Sequence, residues 1–182
     1  MRLIKEIYEK DLDLGNIKPD FIKTKVREQA GEKCYRLRKA ARALIFHENK
    51  IAILKAVKLN LHKLPGGGID KTESIIQGLH REVLEETGCK IDNIHDHGII
   101  IEYRDTIEMA QISYVFTCNV YGTAGVPIFT QKEQDEGFQL LWLKVPEVIK
   151  IMKDEDKPNT YSGRFICARD LAILQHYAGF KM

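Results

Sequence analysis

Four glutamates lie within 23 residues near the middle of this chain, between Gly67 and Cys89. From Glu73 onward apolar residues recur at helical spacing, and no proline interrupts the segment before Thr87. Gly88 follows where a residue in the left-handed conformation commonly ends a helix. The sequence therefore predicts a helix over residues 73–87 that carries most of these carboxylates.

Three of the glutamates share one face of that helix. At about 100° per residue, Glu82, Glu85 and Glu86 fall within an arc of roughly 100°. Their like charges repel by a few tenths of a kcal/mol per pair, and only Arg81 stands nearby in the sequence as a positive charge. Mg²⁺ takes carboxylate oxygens and keeps places for water and phosphate, so this face favours a divalent cation site. Gly78, one turn earlier, is expected to leave room there for a phosphate or a metal-bound water.

These residues carry a family resemblance. The segment from Gly67 to Cys89 resembles the Nudix box, G-x5-E-x7-R-E-U-x-E-E-x-G-U with U an apolar residue, at every position, although Cys89 is a marginal U. The glycine-rich approach from Leu64 is also similar to the family. Asp70 stands where glutamate is common, and Thr72 replaces a frequent glycine; we expect Thr72 to act as the helix N-cap.

The resemblance implies hydrolysis of a pyrophosphate with Mg²⁺, or Mn²⁺ as the alternative metal. It implies that the three glutamates of the acidic face hold the metal, with the carbonyl of Gly67 or Gly68 as a further ligand, and that Glu85 and Glu86 are catalytic. It also implies a structural ion pair between Glu73 and Arg81. The alternative for that pair is two solvated charges.

The base that takes a proton from water is less well defined by the sequence. Glu136 is the first candidate and Glu133 the second, because both precede a predicted strand at Phe138 to Leu143. A box glutamate is the remaining option, and a solvated turn is the alternative for the acidic loop. For His62 and the other histidines we expect surface or core roles.

Substrate recognition is assigned to basic residues, with Arg42 and Arg104 as the candidate binding residues. A run of five basic residues contains Lys33, Arg36, Arg38, Lys39 and Arg42. In an extended segment three of its arginines share a face and could meet phosphates, but a solvated strand edge protected by charge is the favoured reading. Tyr103 and Gln111 are weaker candidates for contacts with a base or sugar.

The order of predicted elements is typical of a mixed α/β fold. Strands are predicted at residues 41–46, 51–57, 61–64, 98–104, 107–121 and 138–143, with helices at 73–87, 146–152 and 169–177. The resemblance implies an α/β/α sandwich around a mixed sheet with a loop-helix-loop at the box. We expect one domain over 1–182, with a catalytic core at 39–152, an N-terminal extension at 1–38 and a C-terminal segment and helix at 153–182. Residues 2–8 are expected to form an extra strand, and the extension could cover the sheet, mediate a homodimer or shape the pocket.

Composition narrows the class of partner. The 28 basic and 26 acidic residues give a net charge of +2, so binding to a nucleic-acid polymer is not indicated. No stretch resembles an export signal or a membrane span, and four scattered cysteines form no zinc or disulfide pattern, so we expect a cytoplasmic protein that works without a membrane.

The function that follows from the resemblance is hydrolysis of a nucleoside diphosphate linked to another moiety X. Nucleoside triphosphates, oxidised ones included, are the first substrate class and nucleotide sugars the next. A nucleotide sensor without turnover and a prenyl diphosphate isomerase on the same fold are the alternatives.

Overall fold

The computed structural model describes residues 1–19, 35–154 and 157–180. Lys33 of the basic run and Cys34 lie outside the described residues. The strands and helices, in chain order, are β1 Leu3–Tyr8, β2 Arg36–His47, β3 Lys50–Ala56, β4 Leu61–Lys63, α1 Ile75–Thr87, β5 Lys90–Arg104, β6 Met109–Tyr121, α2 Gln131–Asp135, β7 Phe138–Leu143, α3 Val145–Asp154 and α4 Tyr161–Phe180. Among the described residues, no helix is long and apolar enough to cross a membrane.

The strands form one mixed sheet in the order β1-β5-β6-β2-β3-β4, with β7 also paired to β3. β1 runs parallel to β5, and β2 runs parallel to β6. β5 and β6 form the long antiparallel hairpin that the sequence predicted. The N-terminal strand is therefore confirmed as an extension of the sheet, and the segment after it packs Leu12, Leu14 and Ile17 against the core.

The sheet opens between β2 and β3, and this opening creates the site. The two strands pair only at Phe46 with Ile51 and at His47 with Lys50. Where they separate, the glycine-rich turn lies along β2 and bonds to it through the backbone. The three hydrogen bonds run from Ala41 N to Gly67 O, from Ala43 N to Pro65 O and from Ile69 N to Lys39 O, each 3.0 Å long.

Apolar side chains fill both faces of the sheet. One core packs Leu44, Ile53 and Ile100 against α3 and α4, whereas the other packs Ala43 and Ile45 against α1. A sheet with helices on both faces is a three-layer structure. The predicted α/β/α sandwich with a mixed sheet is confirmed.

Helix α1 begins later than predicted, and the expected cap at Thr72 is wrong. Ser74 is the N-cap: its hydroxyl accepts from the Gln77 amide while the Gln77 side chain accepts from the Ser74 amide. This reciprocal capping box satisfies two amides that would otherwise lack partners. Gly88 ends the helix with φ of 67°, as the sequence predicted.

Other elements begin earlier than the sequence predicted, because contacts formed in the folded structure extend them. β2 begins at Arg36 and β5 at Lys90, well before the predicted starts, because β6 pairs along most of both strands. α4 begins at Tyr161 rather than at residue 169, since the Thr160 hydroxyl accepts from the Gly163 amide 3.1 Å away, as an N-cap does.

The favoured reading of the basic run, a solvated strand edge, is wrong. Residues 36–46 pair with β6 on one side, and residues 39–43 bond to the glycine-rich turn on the other. The strand is therefore internal over this stretch. All three of its arginines line a pocket, in which Arg42 is buried and Arg38 half-buried, whereas Arg36 at the start of the strand is exposed.

Candidate active site

A cavity of about 760 Å³ lies where the sheet opens between β2 and β3. α1 and the glycine-rich turn contribute carboxylates and backbone to its wall, β2, β5 and α4 contribute arginines, and α2 contributes acidic side chains. The lining residues that carry charge are Arg36, Arg38, Arg42, Lys63, Glu82, Glu86, Arg104, Lys132, Glu133, Glu136 and Arg169. The volume is typical of a site for a small molecule.

Glu86 is the most deeply held of the box carboxylates. It is 5% exposed, and one carboxylate oxygen accepts from Lys63 Nζ at 2.6 Å. The other oxygen accepts from the Gly66 amide, also at 2.6 Å. The sequence had indicated Arg81 as the only nearby cation, so Lys63 is a partner that it did not reveal. Both contacts fix the carboxylate at the pocket wall.

Glu82 lies against the glycine-rich turn. A Cβ added at Gly67 would overlap the Glu82 carboxylate, so a side chain at position 67 would displace it. Arg81 Nη1 donates to Glu82 at 2.9 Å. Burial raises the pKa of Glu82, the Arg81 hydrogen bond opposes that rise, and repulsion from Glu86 adds to it. The ionised form of Glu82 is thus poorly solvated, and a bound cation would stabilise it.

Glu85 stands apart from the other two. Its side chain is 53% exposed, and its carboxylate accepts from Arg81 Nη1 at 3.2 Å. Glu85 is not among the residues that line the cavity. The structure therefore brings two of the three predicted metal ligands to the pocket wall and leaves the third at its outer side.

Arg81 connects the helix to the turn. Its Nη2 atom lies 2.7 Å from Glu73 Oε1, its Nε atom lies 3.2 Å from Glu73 Oε2, and Nη2 also donates to the carbonyl of Gly68 at 3.0 Å. The hydrogen bond from Arg81 lowers the pKa of Glu73, with a further bond from the Asp70 amide. The predicted pair is thus in direct bidentate contact, and it ties the start of α1 to the turn.

Gly78 does not leave room for a phosphate, and that expectation is wrong. A Cβ at this position would lie 2.6 Å from Ile69 Cδ1 and 2.9 Å from Glu73 Oε1. The missing side chain instead lets the turn pack closely on the helix. Gly78 therefore contributes to the site indirectly, through the close packing of the turn on the helix.

The chemistry of these donors suits a hard divalent cation. Carboxylate oxygens of Glu82 and Glu86 and the carbonyl of Gly67 border the same cavity, and such oxygens are what Mg²⁺ prefers. Within the described residues, no group of three His, Cys, Asp or Glu side chains already converges as a metal cage. Arg81 and Lys63 hold the carboxylates instead, so a cation would have to share or replace these contacts.

The two candidate bases lie on α2, and they are held differently. The acidic loop expected here is a short helix, in which the Glu133 carboxylate accepts from the Thr130 amide and hydroxyl as part of a capping box. Glu136 ends the helix, and its nearest cation is Lys132 Nζ at 3.8 Å. Both residues line the cavity. Glu133 is thus engaged locally, whereas the Glu136 carboxylate is the freer of the two to approach a substrate.

Arg42 and Arg104, the predicted substrate-binding residues, both line the cavity and are both buried, at 5% and 4% exposed. Tyr103 is stacked on Tyr8 with ring centroids 4.8 Å apart and is not among the lining residues. Gln111 is fully buried and bonds to neighbouring polar side chains. Arg42 and Arg104 therefore remain candidate substrate-binding residues, whereas Tyr103 does not.

Sequence reasoning missed Arg169. This residue is on α4, it is 1% exposed, and its guanidinium reaches the same cavity as Arg42. A basic residue next to Asp170 on a largely apolar helix was the signal in the sequence, and that signal is weak. His62, for which a surface or core role was expected, is not among the lining residues, and neither are His95 and His97.

Comparisons with known proteins agree with this geometry. Residues 36–162 match the family model described as the NUDIX domain. No curated protein sequence matches the chain.

Several solved structures share the fold. A MutT NUDIX hydrolase from Burkholderia pseudomallei is 17% identical, with 73% of this chain and 97% of that chain covered and a TM-score of 0.52. A NUDIX hydrolase from Nitrosomonas europaea is 19% identical, with 79% and 90% covered and a TM-score of 0.55. The mutator MutT protein from Bacillus halodurans is 20% identical, with 72% and 80% covered and a TM-score of 0.51. At these identities the likeness shows the fold.

Proposed function

The chain belongs to the NUDIX family, and from that premise we propose that it is a Mg²⁺-dependent hydrolase of nucleoside diphosphates linked to a moiety X. The bond cleaved is the pyrophosphate bond. Nucleoside triphosphates, oxidised ones included, are the first substrate class, and nucleotide sugars are the second. Mn²⁺ is the alternative metal.

One observation carries the proposal: a single cavity has carboxylates on one wall and arginines on the opposing elements. Hydrolysis of a pyrophosphate needs its negative oxygens neutralised and a water placed in line with one phosphorus, so most of the catalysis is positioning and electrostatics. A site with carboxylates alone would bind a cation and repel the substrate. Here the arginines Arg42 and Arg104 supply the complementary attraction.

The residues can be given roles in this reaction. Glu82 and Glu86 would hold the metal with the carbonyl of Gly67, and Glu85 would join them by turning away from Arg81. When bound, Mg²⁺ neutralises phosphate oxygens and polarises water. The Gly66 amide and Lys63 keep Glu86 oriented, and the Arg81 contacts keep the turn against α1. These positioning contacts fix the donors before the substrate arrives.

Glu136 is proposed as the group that accepts the proton of the attacking water. It lines the cavity, and its carboxylate is not used to cap α2, whereas Glu133 is used in that way. Arg42 and Arg104 would bind the substrate on the opposing wall. A box glutamate remains the alternative base.

The functional unit extends beyond the catalytic core expected at 39–152. α4 contributes Ile166 and Arg169 to the cavity, so we propose that residues 157–180 belong to the working site of the same single domain. β1 joins the same sheet at its edge. A cytoplasmic location and a homodimer stay predictions.

A panel of nucleotides tests the proposal. Purified protein is incubated with nucleoside triphosphates, their oxidised forms and nucleotide sugars, each with Mg²⁺, with Mn²⁺ and with a chelator. Products are separated by chromatography, and water labelled with ¹⁸O identifies the phosphorus that is attacked. We expect metal-dependent release of a nucleoside monophosphate from at least one class.

The matched control is Glu86→Gln from the same preparation, which excludes a contaminating hydrolase. A nucleotide that binds without turnover in every metal would instead support the sensor alternative. All four box glutamates are present, which favours turnover over sensing.

A further inference from the structure

Four arginines from three different elements meet at the inner wall of the cavity. Arg38 and Arg42 come from β2, Arg104 ends β5, and Arg169 comes from α4. We call these four residues the arginine wall. Three of them are more than nine-tenths buried, at 5% exposed for Arg42, 4% for Arg104 and 1% for Arg169.

The arginine wall contacts fewer carboxylates than it has positive charges. Glu102 accepts from Arg104 Nη2 at 3.0 Å and lies 3.7 Å from Arg169 Nη1. Asp170 accepts from Arg169 Nε at 2.7 Å. Arg42 donates to the carbonyl of Ala41 at 3.0 Å, and Arg38 donates to the side chain of Gln111, so neither has a carboxylate as its hydrogen-bond partner among the described residues.

Several buried donors of the wall are also unused. In the described part of the chain, Arg42 Nε, Arg104 Nε and Arg169 Nη2 have no hydrogen-bond partner. An unmade hydrogen bond at a buried charged group is costly, and buried polar atoms in folded proteins are nearly always paired. All three atoms belong to residues that line one cavity, so the protein itself leaves part of the hydrogen-bonding capacity of the wall unused.

The wall is held in place rather than loosely exposed. Asp170, which bonds Arg169, also accepts from the Leu64 amide at 2.8 Å and so links α4 to the strand before the glycine-rich turn. The Arg104 guanidinium lies over the Phe165 ring, 4.6 Å from its centroid. These contacts leave the free nitrogens preorganised, so little order is lost when an anion binds.

The electrostatics agree with the contacts. Burial lowers the pKa of Arg42 to about 9, and repulsion from Arg169 contributes. Burial and repulsion from Arg104 and Arg169 lower the pKa of Arg38. Nearby carboxylates oppose both shifts, Glu102 and Glu82 for Arg38 and Asp170 and Glu86 for Arg42, and a bound anion would act in the same direction as these carboxylates.

We propose that the arginine wall binds a phosphomonoester that the substrate carries in addition to the phosphates held at the metal site. The proposal rests on the proposed function, which places the diphosphate against Glu82 and Glu86. It narrows X: the preferred substrates carry a second, terminal phosphate group that reaches the inner wall. Ile166 of α4, next to the wall, lines the same cavity and would contact the apolar part of X.

A phosphomonoester fits this wall better than a carboxylate or a neutral sugar does. It brings close to two negative charges at pH 7 and three acceptor oxygens, and planar guanidiniums bind such oxygens in pairs. The wall offers four guanidiniums that line the cavity, and two of them, Arg38 and Arg42, have no bonded carboxylate among the described residues. A carboxylate would use only part of that capacity.

The first experiment measures inorganic phosphate binding by the metal-free protein, so it does not depend on hydrolysis. Phosphate is titrated at constant ionic strength, and the thermal midpoint is followed. We expect stabilisation by phosphate in the wild type. Arg42→Met should weaken phosphate binding by about tenfold to a hundredfold, the range for a charge-assisted hydrogen bond.

Lys39→Met is the matched control, because it removes one positive charge from the same strand, and Lys39 is exposed and does not line the cavity. It should bind phosphate as the wild type does. Arg42→Met removes a buried cation that lacks a bonded carboxylate, so it should fold with a thermal midpoint in phosphate-free buffer at or above that of the wild type. If it does not fold, Arg38→Met replaces it. Absence of phosphate stabilisation in the wild type, or an equal loss in Lys39→Met, overturns the anion site.

The second experiment measures turnover of matched pairs that both contain a pyrophosphate and differ by one phosphomonoester: NADH with NADPH, and dephospho-coenzyme A with coenzyme A. The phosphorylated member should be preferred in kcat/KM in at least one pair by tenfold or more, and Arg42→Met should abolish that preference. Equal turnover of both members in both pairs overturns the assignment of substrate class. If no compound is cleaved while metal-free phosphate binding persists, the proposed function fails and the anion site stands.

Discussion

The charged side chains on the two sides of the cavity differ in how completely they are paired. On α1, each carboxylate has a cation in contact: Glu86 is bonded to Lys63, and Glu82 and Glu85 are bonded to Arg81. On the arginine wall, Glu102 and Asp170 contact only Arg104 and Arg169, and three buried nitrogens have no partner among the described residues. The acidic side is satisfied without a ligand, whereas the basic side is not.

This difference indicates how stability and function are divided. Paired charges on α1 hold the helix to the turn even when no metal is bound, so the protein keeps the metal ligands in place. Unpaired guanidiniums in the wall lower the stability of the free protein and raise its attraction for an anion. Such a trade of stability against function is common where residues are kept for binding.

Replacing Glu86 with glutamine should have the largest effect on activity. Glu86→Gln keeps the volume but removes the charge that is fixed by Lys63 and the Gly66 amide. We expect kcat to fall by at least about 10²–10³-fold, as when a preorganised electrostatic group is removed. Glu85→Gln should lower kcat by less, because Glu85 lies at the outer side of the pocket.

Steady-state kinetics at saturating Mg²⁺ measure both variants, with circular dichroism to verify folding. Near-normal turnover in both would show that the box carboxylates do not hold the metal. A larger loss in Glu85→Gln than in Glu86→Gln would contradict the contrast between the inner and outer carboxylates.

Replacing Arg169 should separate structural from functional members of the arginine wall. Arg169→Met leaves Glu102 and Asp170 buried without this partner, so the free energy of unfolding should fall by about 3–5 kcal/mol. Arg42→Met should not lower it, because Arg42 bonds no carboxylate. Urea denaturation in phosphate-free buffer measures both values. Equal destabilisation of the two variants would show that Arg42 is needed for folding.

The identity of the base can be tested on α2 with a matched pair. Glu136→Gln should lower kcat by about 10²-fold, the low end for a general base, with little change in KM, and should flatten the acid limb of the pH profile. Glu133→Gln is the control, since glutamine can keep the capping box with Thr130. A larger loss in Glu133→Gln would exchange the roles, and no loss in either would place the base in the box.

The smallest expected effect is the pH dependence that Glu82 gives to the metal-free protein. Burial raises the pKa of Glu82 in the folded state, so the native state binds that proton more tightly than the unfolded state does. Its contribution to stability is present below the ordinary glutamate pKa of about 4.3 and is lost as pH rises through the folded pKa. Glu82→Gln removes this loss. The thermal midpoint of the variant, measured from pH 4 to pH 8, should therefore rise relative to that of the wild type as pH increases. A difference that stays constant with pH would contradict the assignment.

The contacts on α1 could be anticipated because they are local. The acidic face follows from helical spacing within a few residues, whereas the Glu73 to Arg81 contact was expected from the family resemblance. Gly88 was predicted as the helix end from the local spacing as well. Even so, the prediction of Thr72 as N-cap was wrong, because Ser74 can also cap a helix and only the path of the chain selects one of them.

The sequence by itself determined the fold class and the acidic half of the site, since both depend on short-range periodicity and spacing. Only the tertiary structure decided that β2 is internal, that Lys63 binds Glu86 and that Arg169 joins Arg42 in one wall. Arg42 and Arg169 are far apart in the chain, and their meeting depends on how α4 packs on the sheet. Local patterns carry no record of such packing, because it is set by the sum of many apolar contacts rather than by the charged residues themselves.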